Sequence, residues 1–177
     1  RVIFDQEVEH PLFGHKYFNI SIFKAGHGIG SIIEDVTESK QAAKTVSDSR
    51  ERLANFIDAT NSYITILDKD LNIIDCNKPI LKMFNAKSKE EVIGRPLVAL
   101  IPEIATDGQL EFYKKVLETN QPLEYEQEVD EPLIGHKYFN VRLFNANEGI
   151  GSIIDDVTDK RKAQVEVRQY ASIVANS

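Results

Sequence analysis

The sequence has little sulfur and no tryptophan: one cysteine and one methionine occur among 177 residues, and 28 Asp and Glu outnumber 21 Lys and Arg to give a formal net charge of −7. Since Cys76 is the only cysteine, no intrachain disulfide is possible and nothing points to an oxidising compartment. The acidic balance, without a dense basic stripe, argues against a nucleic-acid surface. No run of about 18 apolar residues occurs, and no signal-peptide pattern opens the sequence. We therefore predict a cytoplasmic protein that directly contacts neither nucleic acid nor membrane.

Two segments of the sequence repeat each other without a gap. Residues 6–37 and residues 127–158 are separated by 121 positions and are identical at 22 of 32 positions. Such internal identity indicates a tandem array, whose period is too long for a solenoid and suits one small domain plus a linker. The sequence therefore predicts one complete domain that is preceded by the C-terminal third of another.

The repeat divides the sequence into four predicted segments. Residues 1–37 hold the final strands of a first unit, and residues 38–58 form a linker helix. Residues 59–158 form a complete domain, and residues 159–177 form a second linker helix that leads into a further domain. Both linkers are charged and free of glycine and proline, which favours helix.

Both predicted linker helices carry small or apolar residues at the a and d spacing of a coiled coil. The positions are Ala42, Val46, Ser49 and Leu53 in the first linker and Ala163, Val167, Tyr170 and Val174 in the second. This spacing predicts helices that pair with a second chain, and the alternative is a plain amphipathic helix that lies on its own sheet. Homodimerisation, through linker helices or through exchange of the repeated strands, is a prediction.

Within residues 59–158, strand and helix patterns follow the order β-β-α-α-α-β-β-β. Along residues 137–144, Phe139, Val141 and Leu143 alternate with polar residues, as in a half-buried strand. The longest helical pattern, over residues 107–119, has an apolar stripe of Leu110, Tyr113, Val116 and Leu117. The order predicts an α+β domain with five antiparallel strands and short helices on one face.

Five short stretches in this order resemble the PAS sensor domain family. They are NFIDAT at 55–60, DCN at 75–77, EEVIGR at 90–95, the glycine-rich strand GIGSII at 149–154 and the terminal DVT at 156–158. The resemblance covers residues 55–158, and residues 1–37 match the end of a preceding copy. It implies a tandem PAS array of a prokaryotic signalling protein, in which the five-stranded sheet curls over short helices and encloses a pocket.

The resemblance also implies which side chains line that pocket. The candidates are Ile66, Met83, Phe84, Leu97, Ile101, Phe112, Phe139, Val141, Leu143, Ser152 and Ile154. A half-buried sheet needs an apolar face with or without a ligand, so the alternative is that these residues only form the core. Because Ser152 is the one clear polar member, the set favours a small apolar ligand or none.

No catalytic, metal-binding or cofactor motif is recognisable in the sequence. Haem-binding members of the family place an iron-ligating His on or beside the long helix, and residues 107–121 contain none. Light-sensing flavin members carry an NCRFLQ motif that this sequence lacks, and Cys76 instead ends a predicted strand. We therefore predict a non-enzymatic chain without haem, flavin or metal, although the parent protein can carry an enzyme elsewhere.

Two functions remain open. The first is a sensory module that binds a small ligand or partner and passes a conformational change through its C-terminal helix to an output such as a histidine kinase. The second is a ligand-free module that dimerises and spaces neighbouring PAS or output domains. The ligand, the output domain and a membrane anchor elsewhere in the parent protein are not specified by the sequence.

The resemblance assigns signal relay to the terminal Asp-x-Thr of each copy. These residues are Asp35 with Thr37 in the first copy and Asp156 with Thr158 in the second. They lie where the last strand meets the linker helix, and the Thr158 hydroxyl is predicted to cap that helix.

Overall fold

The computed structural model describes residues 1–12, 14–131, 135–147 and 149–175. The chain divides into two compact units, Arg1–Ala54 and Asn55–Ser177. Their boundary falls inside helix α1, Thr37–Asp58, which occupies the predicted first linker. The last two residues of the predicted second linker, Asn176 and Ser177, lie outside the described residues.

The first unit is a three-stranded antiparallel sheet followed by most of α1. Its strands are β1 (Val2–His10), β2 (Gly14–Ala25) and β3 (Gly28–Asp35), in that order across the sheet. The repeated segment therefore folds as consecutive strands.

The second unit contains a five-stranded antiparallel sheet with short helices, which confirms the predicted α+β, PAS-like fold class. Its strands are β4 (Tyr63–Asp68), β5 (Ile73–Cys76), β6 (Leu123–Glu131), β7 (Gly135–Ala146) and β8 (Gly149–Asp156). They lie in the order β5-β4-β8-β7-β6, so the last strand is central and pairs with the first.

Short helices connect β5 to β6, and a longer one follows β8. They are α2 (Lys78–Met83), α3 (Leu97–Leu100), α4 (Gln109–Thr119) and α5 (Thr158–Ala175), with 3-10 turns at Lys89–Glu91 and Pro102–Ala105. Pro79 lies in the first turn of α2, where its fixed φ and missing N–H carry no cost. Helix α4 ends at Asn120, whose φ of 58° is left-handed, a conformation that asparagine tolerates at helix ends.

The hydrophobic core of the second unit lies between one face of the sheet and the short helices. Its buried apolar side chains are Leu67, Ile73, Cys76, Ile80, Val92, Leu97, Ile104, Tyr113, Val116, Val141, Leu143 and Ile150. The predicted stripe of α4 is confirmed, because Tyr113 and Val116 are buried and Leu117 packs against the core. The alternation along β7 is also confirmed, since Val141 and Leu143 are each 1% exposed.

Both linkers are helical, whereas their pairing with a second chain stays a prediction. In α1, the a and d positions Val46 and Leu53 are 52% and 60% exposed. In α5, Val167 is 67% exposed, and the side chains of Tyr170 and Val174 lie outside the described part. Among the described residues, every helix is too short or too polar to span a bilayer.

Candidate functional site

The interior layer between sheet and helices contains eight of the eleven predicted pocket residues. Leu97, Val141, Leu143 and Ser152 are buried, and Phe84, Ile101, Phe139 and Ile154 pack against the core. This placement fits both a ligand-lined interior and a plain core, so the pocket itself stays a prediction.

Ile66 and Met83, two further candidates, do not line the interior. Ile66 is 37% exposed because β4 alternates and directs Thr65 and Leu67 inward instead. Met83 is 43% exposed at the C-terminal end of α2, a helix whose buried residue is Ile80. In both cases the prediction chose the side of the strand or helix that faces away from the core.

The remaining candidate, Phe112, is 36% exposed beside the buried stripe of α4. Its ring contacts the ring of Tyr125 on β6, with centroids 4.6 Å apart. Phe112 therefore packs on β6 at the margin of the interior layer, and its neighbour Tyr113 takes the buried position.

Three hydroxyl groups meet inside the apolar layer. Thr65 Oγ1 and Ser152 Oγ lie 2.6 Å apart, and both residues are buried. Burial raises the pKa of Tyr113 to about 12, although its hydrogen bond with Ser152 opposes the increase. These hydroxyls satisfy one another without a ligand, and they are also the polar groups that a ligand in this layer would meet. The sequence predicted only Ser152, although Thr65 shares the inward period of Leu67.

A groove of about 530 Å³ lies elsewhere in the unit, between the start of β7 and the first turns of α5. Its lining residues are His136, Tyr138, Arg161, Lys162, Val165 and Glu166. His136 and Tyr138 alternate with Phe139 along β7, so this groove is distinct from the predicted interior pocket. It flanks the helix that leaves the domain, and no motif or periodicity in the sequence predicted it.

The terminal Asp-x-Thr connects β7, β8 and α5, and we name this contact the outgoing joint (Asp156–Thr158 with Tyr138). Thr158 Oγ1 accepts a hydrogen bond from the Tyr138 amide at 3.0 Å, and Asp156 Oδ1 accepts one from the Thr158 amide at 2.9 Å. The Val157 amide donates to the Tyr138 carbonyl at 2.8 Å. The predicted cap is therefore corrected, because the buried Thr158 hydroxyl bonds β7 and Asp156 supplies the oxygen at the helix start.

Asp156 is held in its ionised form by its neighbours. Lys137 Nζ lies 2.8 Å from Asp156 Oδ2. Burial opposes ionisation of Asp156, but hydrogen bonds from Lys137 and Thr158 outweigh it and hold the pKa below its ordinary value. The hydrogen bond to Asp156 raises the pKa of Lys137 in turn. The joint therefore carries a charge-assisted bond at neutral pH.

The first unit has the same joint. Thr37 Oγ1 accepts from the Tyr17 amide at 3.0 Å, and Asp35 Oδ1 accepts from the Thr37 amide at 3.0 Å. Lys16 Nζ lies 2.9 Å from Asp35 Oδ2. Hydrogen bonds from the Thr37 hydroxyl and from Lys16 lower the pKa of Asp35 to about 2. The four predicted relay residues thus lie at two equivalent strand–helix junctions.

A buried asparagine holds the point where α1 leads into the domain. Asn77 is 1% exposed, and its Oδ1 accepts from the Ile64 amide at 3.1 Å. Its Nδ2 donates to the carbonyls of Ser62 at 2.8 Å and Ile57 at 3.2 Å. We name this set (Ile57, Ser62, Ile64 and Asn77) the incoming joint.

The first turn of α2 is capped from outside the helix. Asn77 occupies the N-cap position of this helix, but its side chain makes no cap hydrogen bond. The Lys78 amide donates instead to Asp58 Oδ1, at the end of α1, at 3.0 Å. Asn before Lys-Pro is typical of a cap, and nothing in that local pattern shows a side chain that bonds residues 13 to 20 positions earlier.

The comparison with known protein families finds one family. The family described as the PAS fold matches residues 57–162. A search of curated proteins gave no significant match.

Solved structures of PAS domains resemble part of this chain. The PAS domain of a protein from Colwellia psychrerythraea is 22% identical, with a TM-score of 0.47, over 62% of this chain and 97% of that one. The PAS domain of histidine kinase ThkA is 30% identical, with a TM-score of 0.43, over 54% of this chain and 98% of that one.

Vibrio cholera VqmA, solved as a complex with ligand and DNA, has a TM-score of 0.52 at 17% identity. That match covers 62% of this chain and 51% of VqmA. Since the family match spans more than half of the sequence and its motifs lie in the expected order, the chain belongs to the PAS family.

Proposed function

We propose that the complete domain receives a signal in its interior layer and passes it through α5 to an output domain such as a histidine kinase. PAS domains are sensory, non-catalytic signal-input modules. The observation that carries the proposal is the outgoing joint, where buried Thr158 bonds β7 and at the same time begins α5.

The interior layer and the joint share one strand. Strand β8 contributes Ser152 and Ile154 to the interior and ends at Asp156. A ligand that moves β8 against β7 displaces the Asp156 and Thr158 contacts together, and packed elements shift between discrete arrangements rather than deform continuously. Movement of the strand therefore becomes rotation or translation of α5.

The test is output activity of the full-length protein carrying Asp156→Ala or Thr158→Ala. Each change removes one acceptor of a backbone amide in the joint, worth about 1 kcal/mol, so folding stays nearly intact. Lys160→Ala is the matched control, because Lys160 is exposed on the same turn of α5. Altered output in the joint variants with normal output in the control supports the proposal, and unchanged output in both joint variants removes it.

We propose a small, largely apolar ligand or a protein partner, without haem, flavin or metal, in a cytoplasmic domain. The hydroxyls of Thr65, Tyr113 and Ser152 are the polar groups such a ligand would meet. Purified chain is then colourless, and native mass spectrometry shows an added mass. A Soret band or a flavin absorbance at near-stoichiometric occupancy contradicts this choice of ligand.

The second candidate is a ligand-free spacer that dimerises neighbouring PAS or output domains. It is favoured by interior hydroxyls that already satisfy one another and by apolar a and d residues exposed on α1. Dimers would form through the linker helices or through exchange of the repeated strands. Deleting residues 1–37 then leaves a folded monomeric core, whereas light scattering that shows the same assembly with and without the segment contradicts strand exchange.

A further inference from the structure

The complete domain is entered and left at one end of its central strand pair. Ser62 directly precedes β4, and Asp155 directly precedes Asp156 of the outgoing joint. Strands β4 and β8 pair with Tyr63 opposite Ile154, so the two joints flank the same rung of the sheet.

Ser62 links the incoming joint to the residue that precedes the outgoing joint. Its carbonyl accepts from Asn77 Nδ2 at 2.8 Å, and the same amide group donates to Ile57 in the last turn of α1. Its hydroxyl donates to Asp155 Oδ1 on β8. A continuous series of hydrogen bonds therefore runs from the end of α1 to the residue before the outgoing joint.

Asp155 is fixed from two sides. One carboxylate oxygen accepts from Ser62, and the other lies 2.8 Å from an Nη of Arg142 on β7. In the first copy, Glu34 stands at the position of Asp155 and Ser21 at the position of Arg142, although the terminal Asp-x-Thr is retained. The lateral contact is therefore a feature of the complete domain that the repeated joint does not require.

We propose that Ser62 and Asp155 are positioning residues that transmit movement of α1 directly to the start of α5. The domain then passes on a signal that arrives from an upstream repeat as well as one received in its own interior. The inference rests on the proposed function in one respect, that α5 carries the output.

Hydrogen exchange of backbone amides in the purified chain tests the coupling without an output domain. Asp58→Ala loosens the incoming side, because Asp58 binds the Lys78 amide there. We expect exchange of the amides of residues 161 and 162, the first that donate within α5, to rise about fivefold, the lower bound of typical site-to-site coupling. In the Ser62→Ala background, the same Asp58→Ala change leaves those amides unaffected.

Linkage is reciprocal, so the experiment runs in the opposite direction as well. Thr158→Ala, which frees the Tyr138 amide, speeds exchange at residues 57–60 in the parent chain and leaves it unchanged in the Ser62→Ala background. Ser88→Ala is the control background, because Ser88 lies at the 3-10 turn away from both joints.

Loss of both responses in Ser62→Ala, with both retained in Ser88→Ala, supports the proposal. A response that persists in Ser62→Ala in either direction, or that is missing from the parent chain, overturns it. Neither result bears on Asp156→Ala output in the full-length protein, so failure of this inference and failure of the proposed function are distinguishable.

Discussion

The two copies of the repeated strands have the same register and different surroundings. Phe18 pairs with Asp35 in the first unit, and Phe139 pairs with Asp156 at the equivalent positions of the second. Yet Ile29 is 82% exposed, whereas Ile150 at the equivalent position is fully buried. Strand β8 lies between β4 and β7, while β3 has β2 alone as its neighbour in the described part of the chain. Local sequence therefore determines strand and register, and the surrounding layers determine burial.

The first unit leaves an apolar face uncovered. Val2, Phe4 and Ile33 are 61%, 41% and 61% exposed, in addition to Ile29. Exposed apolar area costs about 25 cal/mol per Å², so a contiguous face of this kind favours association. That residues 1–37 are covered in solution by a dimer contact or a strand exchange stays a prediction, and the paired substitutions below measure it.

The largest expected difference is between Gly149→Ala and Gly28→Ala. A Cβ at Gly149 would lie 1.9 Å from the Leu67 carbonyl oxygen on β4, so the alanine separates β4 from β8. The nearest atom to a Cβ at Gly28 is the Ala25 carbonyl oxygen at 3.7 Å. We expect Gly149→Ala to cost more than about 4 kcal/mol of unfolding free energy and Gly28→Ala less than about 0.5 kcal/mol.

Denaturant unfolding followed by hydrogen exchange in each unit measures both glycine variants. Their difference disappears if a strand covers β3 in solution as β4 covers β8. Equal destabilisation by Gly28→Ala would therefore show that the first unit acquires a partner strand.

The second difference concerns core packing in the same strands. Ile150→Ala leaves a cavity beside fully buried Leu67 and should cost about 3 kcal/mol. Ile29→Ala removes an exposed side chain and should change stability by less than about 0.5 kcal/mol. Thermal unfolding of both variants gives the comparison, and a loss of more than 1 kcal/mol at Ile29 would place that residue in an interface.

Much of the fold was predictable because its signals are periodic. The repeat and the alternation along β7 located strands, and the stripe of α4 correctly identified Tyr113 and Val116 as buried. The Ile66 prediction failed because the short strand β4 has apolar residues on both faces, so the sequence did not show that Thr65 and Leu67, rather than Ile66, face inward.

The polar contacts of the joints were less predictable, because their partners are distant in sequence. The Thr158 hydroxyl binds an amide 20 positions earlier, and the Asn77 side chain binds one 13 positions earlier. Local rules assign both residues to helix caps, since Ser, Thr and Asn commonly serve there. Only the folded sheet brings Tyr138 and Ile64 within reach.

The third prediction is that the same substitution destabilises both joints equally, because the two joints have the same contacts. Thr158→Val and Thr37→Val keep the side-chain shape and leave the Tyr138 and Tyr17 amides without their acceptors. Each should cost about 1 kcal/mol, which speeds exchange of that tyrosine amide about fivefold. Residue-resolved hydrogen exchange measures both amides. A clear effect at one joint and none at the other would break the equivalence.

The smallest expected effect is the acid titration of the two joint aspartates. The pKa of Asp35 is lowered from 3.8 to about 2 by hydrogen bonds from Thr37 and Lys16, and the pKa of Asp156 is also lowered. Because the folded-state pKa is depressed, the stabilisation from ionised Asp35 is fully present above pH 3.8 and disappears as the pH falls toward about 2. Carbon NMR of the carboxyl groups follows each midpoint, and Asp35→Asn and Asp156→Asn assign the signals.

The two aspartates should not titrate identically. Burial is the largest influence on Asp156 and opposes its ionisation, whereas hydrogen bonds are the largest influence on Asp35. We therefore expect both midpoints below 3.8, with that of Asp35 the lower. Salt should change both only slightly, because short hydrogen-bonded contacts are screened less than distant charges. A midpoint at 3.8 for either residue would mean that its lysine and threonine contacts do not persist in solution.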